Sequence, residues 1–276
     1  MRKLMIALLA VATAPAWAQN FEGTIKWSMK MEITDPKAKA EMEEAQKKMN
    51  DPAVQAQMKQ ALDQMNDPKM KAMMDANPQM KAMMESKMKM MQGGDMMSNI
   101  MPKGWVMKMK DGNTLMSMDG GMMAGDMLHL KANDQTVRLN SKDKTYSVMP
   151  SGDGASTATQ QQPTVTKTSE TMKILNYNCT KYVITMSEHG QTMTTTMWTT
   201  TDIKGVDMKA MAKQRMGHGQ SMFYSNVDGM PLRIEVGTPQ GKMIMEVTDF
   251  KAETLNAADF TIPSDYKETK GMFGRN

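Results

Sequence analysis

The stretch 21–33 constrains the fold more than any other part of the chain, because apolar and polar residues alternate along it without interruption. The alternate positions on one side carry Phe21, Gly23, Ile25, Trp27, Met29, Met31 and Ile33. Successive side chains of a β-strand point to opposite faces, so this period predicts a long strand with one face on a core and one in water.

The period changes at residue 35, where the first of four acid-proline or amide-proline pairs occurs. The pairs are Asp35-Pro36, Asp51-Pro52, Asp67-Pro68 and Asn77-Pro78. Asp or Asn accepts hydrogen bonds from the free amides of a helix start and proline fits the first turn, so each pair predicts a helix N-terminus. Apolar residues then recur at helical spacing, as in the series Ala38, Met42, Ala45 and Met49. Together with the repeat "MNDP" at residues 49 and 65, this pattern predicts a methionine-rich helical insertion over residues 36–97.

Strand patterns return after the insertion and continue to the end of the chain. The predicted strands are 105–110, 114–119, 125–131, 135–140, 145–150, 170–175, 181–187, 191–200, 232–236 and 243–250, with a helix at 207–216. Residues 151–168 are small, polar and aperiodic, which predicts an exposed linker or long loop.

Many short strands with helical excursions predict an α+β fold, in which a curved antiparallel sheet forms an open half-barrel around helices. The predicted organisation is a signal peptide at 1–18, the first strand at 19–35, the insertion at 36–97 and the remainder of the β domain at 98–276. A second interpretation divides the strands into two β domains joined at the linker.

The first twenty residues have the anatomy of a secretory signal. Arg2 and Lys3 precede an apolar run, and Ala16-Trp17-Ala18 forms a small-x-small cleavage site before Gln19. The run is too short to span a bilayer and no later stretch approaches the roughly 20 apolar residues of a spanning helix. We therefore expect a periplasmic or secreted protein without a transmembrane segment.

The charged and nucleophilic residues indicate neither an enzyme nor a nucleic-acid-binding protein. Removing the signal leaves 32 of the 34 basic residues against 30 acidic ones, interspersed along the chain without a concentrated positive face. The single cysteine, Cys179, is predicted to be a small buried hydrophobe. His129, His189 and His218 lie in unrelated settings without the spacing of metal ligands or a nucleophile beside them. The sequence predicts no catalytic residue and no cofactor.

Methionine is the unusual feature of the composition, with 40 residues in the chain and six in the segment 77–91 alone. Thioethers are ligands for Cu(I), and the M-x-M patterns at 88–90, 107–109, 116–118 and 243–245 would bring sulfurs together. Methionine nevertheless recurs at helix-facing and strand-alternating positions alike. This distribution favours its use as a core residue over a dedicated metal site.

Several blocks of the sequence resemble a family of uncharacterised secreted bacterial domains. They are "FEGTIKWSMKME", "GNTLMSMDGG", "LKANDQTVRLNSKDKTYSVMP", "ETMKILNYNCTKYVITM", "GMPLRIEV" and "TDFKAETLNAADFTIPSDYK". That family is similar to periplasmic lipoprotein-sorting carriers, which implies an open half-barrel around a hydrophobic cavity. The Asp-Pro and Asn-Pro helices resemble, more weakly, the methionine-rich repeats of co-chaperones, which implies binding of hydrophobic peptide segments.

These patterns predict a non-enzymatic carrier of a hydrophobic ligand, namely an acyl chain, a lipidated protein or a hydrophobic peptide, in transient contact with the envelope. Methionine side chains re-pack readily around ligands of different shape, so a methionine-lined helical cover suits this role. The predicted ligand-binding residues are Met70, Met73, Met74, Met80, Met83, Met84, Met88 and Met91. A Cu(I)-binding protein is the first alternative, and a structural or assembly factor of the envelope is the second.

Overall fold

A computed structural model describes residues 21–65, 67, 101–121, 124–149, 163–188, 191–206 and 226–269 of the chain. These residues form two α-helices, α1 (Pro36–Met49) and α2 (Pro52–Met65), and two short 3-10 helices at Lys131–Asn133 and Ala257–Phe260. The strands are β1 (Gly23–Ile33), β2 (Gly104–Lys110), β3 (Asn113–Asp119), β4 (Gly125–Leu130), β5 (Gln135–Asn140), β6 (Thr145–Val148), β7 (Thr164–Ile174), β8 (Tyr177–Glu188), β9 (Gln191–Thr200), β10 (Met230–Thr238), β11 (Gly241–Ala252) and β12 (Lys267–Glu268).

All twelve strands belong to one sheet, in the order β12-β6-β5-β4-β3-β2-β1-β11-β10-β9-β8-β7. The sheet is curved and unclosed, and every pair is antiparallel except β12 with β6. The predicted curved, open antiparallel sheet is therefore confirmed, while the finer half-barrel geometry stays a prediction. Strands from both sides of residues 151–168 lie in this one sheet.

The first strand lies in the middle of the sheet, paired with β2 on one side and β11 on the other. Residues 34–103 therefore connect two adjacent antiparallel strands, a connection that a short turn could make. This topology agrees with the prediction that the helical segment is an insertion between the first strand and the rest of the sheet.

The two described helices begin where the Asp-Pro pairs predicted. Asp35 Oδ1 accepts a 2.7 Å hydrogen bond from the Ala38 amide, and Asp51 Oδ1 accepts one of 2.8 Å from the Ala53 amide. The half-buried positions of α1 include its predicted apolar series, Ala38, Met42, Ala45 and Met49. The caps at Asp67 and Asn77 were predicted to begin helices in residues that lie outside the described part of the chain.

The predicted loop at 151–168 requires a correction, because β7 begins at Thr164 and includes its last five residues. Thr164 pairs with Thr185, and Thr166 pairs with Val183. Threonine is β-branched and favours strands. Because β7 is an edge strand that is largely exposed to water, its sequence does not show the apolar alternation by which strands are recognised. The predicted helix at 207–216 lies outside the described residues.

Two clusters of buried side chains lie on the sheet. The larger includes Ile25, Trp27, Met107 and Leu232 and draws on β1, β2 and the strands from β7 to β11. The smaller lies over β3–β6, where Leu128 and Val137 pack beneath Phe260 of the C-terminal 3-10 helix. A salt bridge of 2.8 Å between Lys108 and Asp259 fixes the C-terminal segment over these strands. The sheet is therefore covered on that side by the end of the chain itself.

Candidate ligand-binding face

Methionines of seven strands lie on one face of the sheet. Directly paired residues of neighbouring strands point to the same side, so the register identifies the members of a face. We call this surface the methionine face, and its methionines are Met29, Met31, Met107, Met109, Met116, Met118, Met127, Met186, Met193, Met197, Met243 and Met245. The M-x-M patterns arise because every second residue of a strand returns to the same face.

The register arranges the methionines nearest the middle of the sheet in two groups. On one side, Met107, Met116 and Met127 are successive cross-strand neighbours on β2, β3 and β4. On the other side, Met29 pairs with Met245, and Met31 pairs with Met243. Two methionine groups thus lie on either side of the residues contributed by the middle of β1 and the start of β2.

A stacked pair of tryptophans lies between the two groups. Trp27 and Trp105 pair across β1 and β2, and their ring centroids are 5.2 Å apart with an interplanar angle of 13°. Offset stacking of this kind contributes roughly 0.5–1.5 kcal/mol beyond the burial of the rings. The tryptophan pair therefore forms a rigid centre between flexible methionine side chains.

Both indole nitrogens of this pair are buried without a hydrogen-bond acceptor. Neither Trp27 Nε1 nor Trp105 Nε1 has a partner in the described part of the chain, and Trp27 is only 5% exposed. Buried polar groups are nearly always paired, and leaving one unpaired costs roughly 1–3 kcal/mol. An unpaired donor in an apolar setting is the kind of group that a bound ligand satisfies.

Burial divides the methionine face into a packed part and a more accessible part. Met107 is 1% exposed and Met197 is 2% exposed, whereas Met193 is 43% exposed. The paired residues Met29, Met31, Met243 and Met245 are half-buried. The buried members are core residues, and the half-buried members have surface left to contact another molecule.

Charged side chains are absent from the centre of the methionine face. The register puts only apolar residues, glycine and Thr114 on this side of β11, β1, β2 and β3. Charge occurs farther out, at Lys167 and Lys173 on β7, Arg138 on β5 and Lys267 on β12. Hydrogen bonding with Tyr182 raises the pKa of Lys167, and Asp228 lies 3.6 Å from its Nζ. The centre of the face is therefore electrically neutral among the described residues.

The opposite face of the same central strands is polar. Arg233 donates to Glu235 at 2.7 Å and to Glu246 at 2.6 Å, and Lys242 lies 3.2 Å from Glu235. Lys242 also reaches Glu32 at 3.5 Å, which extends this ion-pair network onto β1. Over β10, β11 and β1 this face is therefore polar, whereas farther out, over β3–β6, the same face carries the smaller buried cluster.

No enzymatic or metal site emerges from the titratable residues of the described ranges. Cys179 is fully buried, and burial raises the pKa of its thiol to about 11, which fits the prediction that it is a packing residue. The described residues contain no group of three or more His, Cys, Asp or Glu side chains able to hold a metal ion. His129 is buried with its Nδ1 3.2 Å from Thr136 Oγ1, and His189 and His218 lie outside the described residues.

The ligand-binding residues predicted from the sequence fall in a different part of the chain from this face. Met70, Met73, Met74, Met80, Met83, Met84, Met88 and Met91 all lie outside the described residues, so their role stays a prediction. The M-x-M patterns of the strands are visible in the sequence, but they do not by themselves predict a shared site or the tryptophan pair. Trp27 within the alternating stretch and Trp105 at the start of the next strand pattern were the available signals.

Comparison with known families identifies the domain. A family model described as a domain of unknown function, DUF4412, matches residues 87–266. The chain belongs to this family. The expected membership of an uncharacterised domain family is confirmed, and the DUF4412 match includes β2 to β11 but not β1, which completes the centre of the sheet.

Solved structures show weaker likenesses. A structure of PNGF-II has 19% sequence identity and a TM-score of 0.34, with 60% of this chain and 28% of that chain covered. The chain thus spans just over a quarter of the length of PNGF-II. The crystal structure of LprF from Mycobacterium bovis has 14% identity and a TM-score of 0.28, with 61% of this chain and 83% of LprF covered. No curated protein matches the chain. None of the described helices is long and apolar enough to cross a membrane.

Proposed function

We propose that this protein is an exported, non-enzymatic binding protein that holds a hydrophobic ligand against its methionine face. The observation that carries this proposal is the neutral, apolar centre of that face, where half-buried methionines flank two indoles whose nitrogens are buried without acceptors. A face with unsatisfied donors and accessible thioethers is better suited to a second molecule than to internal packing alone.

The methionines explain how such a site accepts ligands of different shape. Methionine is unbranched and polarisable, so its side chain adapts to an irregular surface at little cost. Met70 to Met91, together with the amphipathic helix α1, provide the adaptable cover that we propose for the ligand. The resemblance to lipoprotein-sorting carriers supports an acyl chain, a lipidated protein or a hydrophobic peptide as the ligand.

Replacing four methionines by leucine tests this function directly. In a variant with Met29, Met31, Met243 and Met245 all changed to leucine, volume and apolarity are nearly kept, and each change should cost less than about 1.5 kcal/mol. Binding of a panel of fluorescent fatty acids and hydrophobic peptides should narrow, because branched side chains re-pack less readily. Met172→Leu is the control, since the register puts Met172 on the other face. An unchanged panel in the fourfold variant would contradict the proposal.

Export is the second part of the proposal and has its own test. If Ala16-Trp17-Ala18 is the cleavage site, N-terminal sequencing of protein from the cell envelope or medium should begin at Gln19. Extraction and mass spectrometry of the same material would identify a co-purifying lipid or peptide. A full-length chain recovered only from the cytoplasm would contradict export.

Cu(I) binding is the second candidate, and one observation favours it. Met107, Met116 and Met127 are cross-strand neighbours, whose Cβ atoms typically lie about 4.5–5.5 Å apart. Thioethers in such a row suit Cu(I), which prefers soft ligands. Titration with Cu(I) under reducing conditions should show a saturable site that Met116→Leu weakens if this candidate is right, and only weak, non-saturable binding if the methionines serve packing.

A further inference from the structure

The two buried indole nitrogens of the methionine face define what kind of atom the ligand must present. An indole Nε1–H donates a hydrogen bond and accepts none. Trp27 Nε1 and Trp105 Nε1 are both buried without a partner in the described part of the chain. Whatever satisfies them must therefore be a hydrogen-bond acceptor, and a pure hydrocarbon would leave both donors unpaired.

The neutral surroundings of the indoles limit the charge of that acceptor. The central strands bring no charged side chain to this face. The described cations that the register puts on it lie farther out, at Arg138 on β5, Lys267 on β12, and Lys167 and Lys173 on β7. The Arg138 guanidinium already donates to the Ala124 carbonyl at 3.2 Å. A carboxylate at the indoles would lose its hydration without gaining a cation, which is costly. A neutral carbonyl meets the donors without that cost.

The position of the indoles limits where the acceptor sits within the ligand. Met107 and Met116 lie on one side of the tryptophan pair, and Met29 and Met245 lie on the other. A ligand seated on the whole face meets apolar surface on both sides of the donors. Its acceptor is consequently internal, with hydrocarbon extending in two directions.

We propose that the ligand carries a neutral ester or amide carbonyl flanked by apolar arms, and that this carbonyl accepts hydrogen bonds from Trp27 and Trp105. This inference rests on the proposed function and makes it more specific. It assigns the two tryptophans as specificity-determining residues that select an acylated molecule over a hydrocarbon or a free fatty acid.

The test compares two probes with equal numbers of carbon atoms, hexyl octanoate and tetradecane, each displacing the neutral dye N-phenylnaphthylamine. The measured quantity is the ratio of ester affinity to alkane affinity. Any loss of packing in a Trp27→Phe or Trp105→Phe variant weakens both probes and cancels in this ratio. Each variant should lower the ratio roughly two- to tenfold, the effect of one neutral hydrogen bond.

Trp198→Phe is the matched control, because the register puts Trp198 on the other face, where Lys181 lies over its ring. Its ester-to-alkane ratio should equal that of the unaltered protein. Tetradecanoic acid should bind more weakly than the ester at neutral pH. An ester-to-alkane ratio that is unchanged in both Trp27→Phe and Trp105→Phe would overturn the inference but leave the proposed function intact. Failure of every probe to displace the dye would overturn the proposed function as well.

A measurement on the unaltered protein keeps the inference testable if a variant fails to fold. Hydrogen bonding moves an indole N–H proton downfield in nuclear magnetic resonance spectra of nitrogen-labelled protein. Two indole signals should move downfield when hexyl octanoate binds and stay in place when tetradecane binds. Signals that respond alike to both probes would show that the indoles do not contact the carbonyl, and would overturn the inference.

Discussion

Met107→Ala should separate the packed part of the methionine face from its accessible part. Met107 is 1% exposed and lies between Ile25 at 0% and Met116 at 6%, on strands that have neighbours on both sides. The surrounding side chains cannot collapse into the space that alanine leaves, because the hydrogen-bonded ladders fix the spacing of the strands. Such a substitution of a buried methionine costs about 2–5 kcal/mol.

That cost is large beside the stability of a typical domain, which is about 5–15 kcal/mol. Urea unfolding followed by tryptophan fluorescence should therefore show a lower midpoint for Met107→Ala with an unchanged slope. Met193→Ala serves as the comparison, because Met193 is 43% exposed and the change should cost no more than about 0.5 kcal/mol. Equal midpoints for the two variants would refute the reasoning that the register of β2 and β3 buries this part of the face.

Three further predictions follow from other parts of the chain. Replacing residues 36–97 by a Gly-Ser bridge should leave a folded β domain, because β1 and β2 are adjacent in the sheet. More apolar surface should then be accessible to a dye. Loss of the β signal in circular dichroism would contradict this prediction. Burial opposes ionisation of Glu235, but hydrogen bonds from Arg233 and Lys242 outweigh this effect and lower the pKa of the carboxyl group. The stability that the Glu235 carboxylate contributes is therefore present above the ordinary glutamate pKa and is lost as the pH falls through the lowered pKa of the folded state. Glu235→Gln should consequently reduce the difference in urea midpoint between neutral and acid pH, and an unchanged difference would show that this carboxylate is not responsible. Cys179, with its pKa of about 11, should react with a thiol reagent only after unfolding, and rapid labelling of the native protein would contradict its burial.

Local patterns in the sequence determined most of the secondary structure. The alternation at 21–33 predicted β1, and the acid-proline pairs predicted the starts of α1 and α2, because a cap and a strand period depend on residues close in the chain. The start of β7 was missed because its threonines lack an apolar alternation, and β12 was missed because two residues have no period.

Tertiary structure decided where the candidate site lies. Each M-x-M pattern indicates only that two methionines share a face of their own strand. The pairing of β1 with both β2 and β11 puts methionines from distant parts of the chain on one surface and stacks Trp27 on Trp105. Register between strands separated by tens of residues is fixed by cross-strand packing and hydrogen bonding, and a shift of one residue would send every one of these side chains to the polar face.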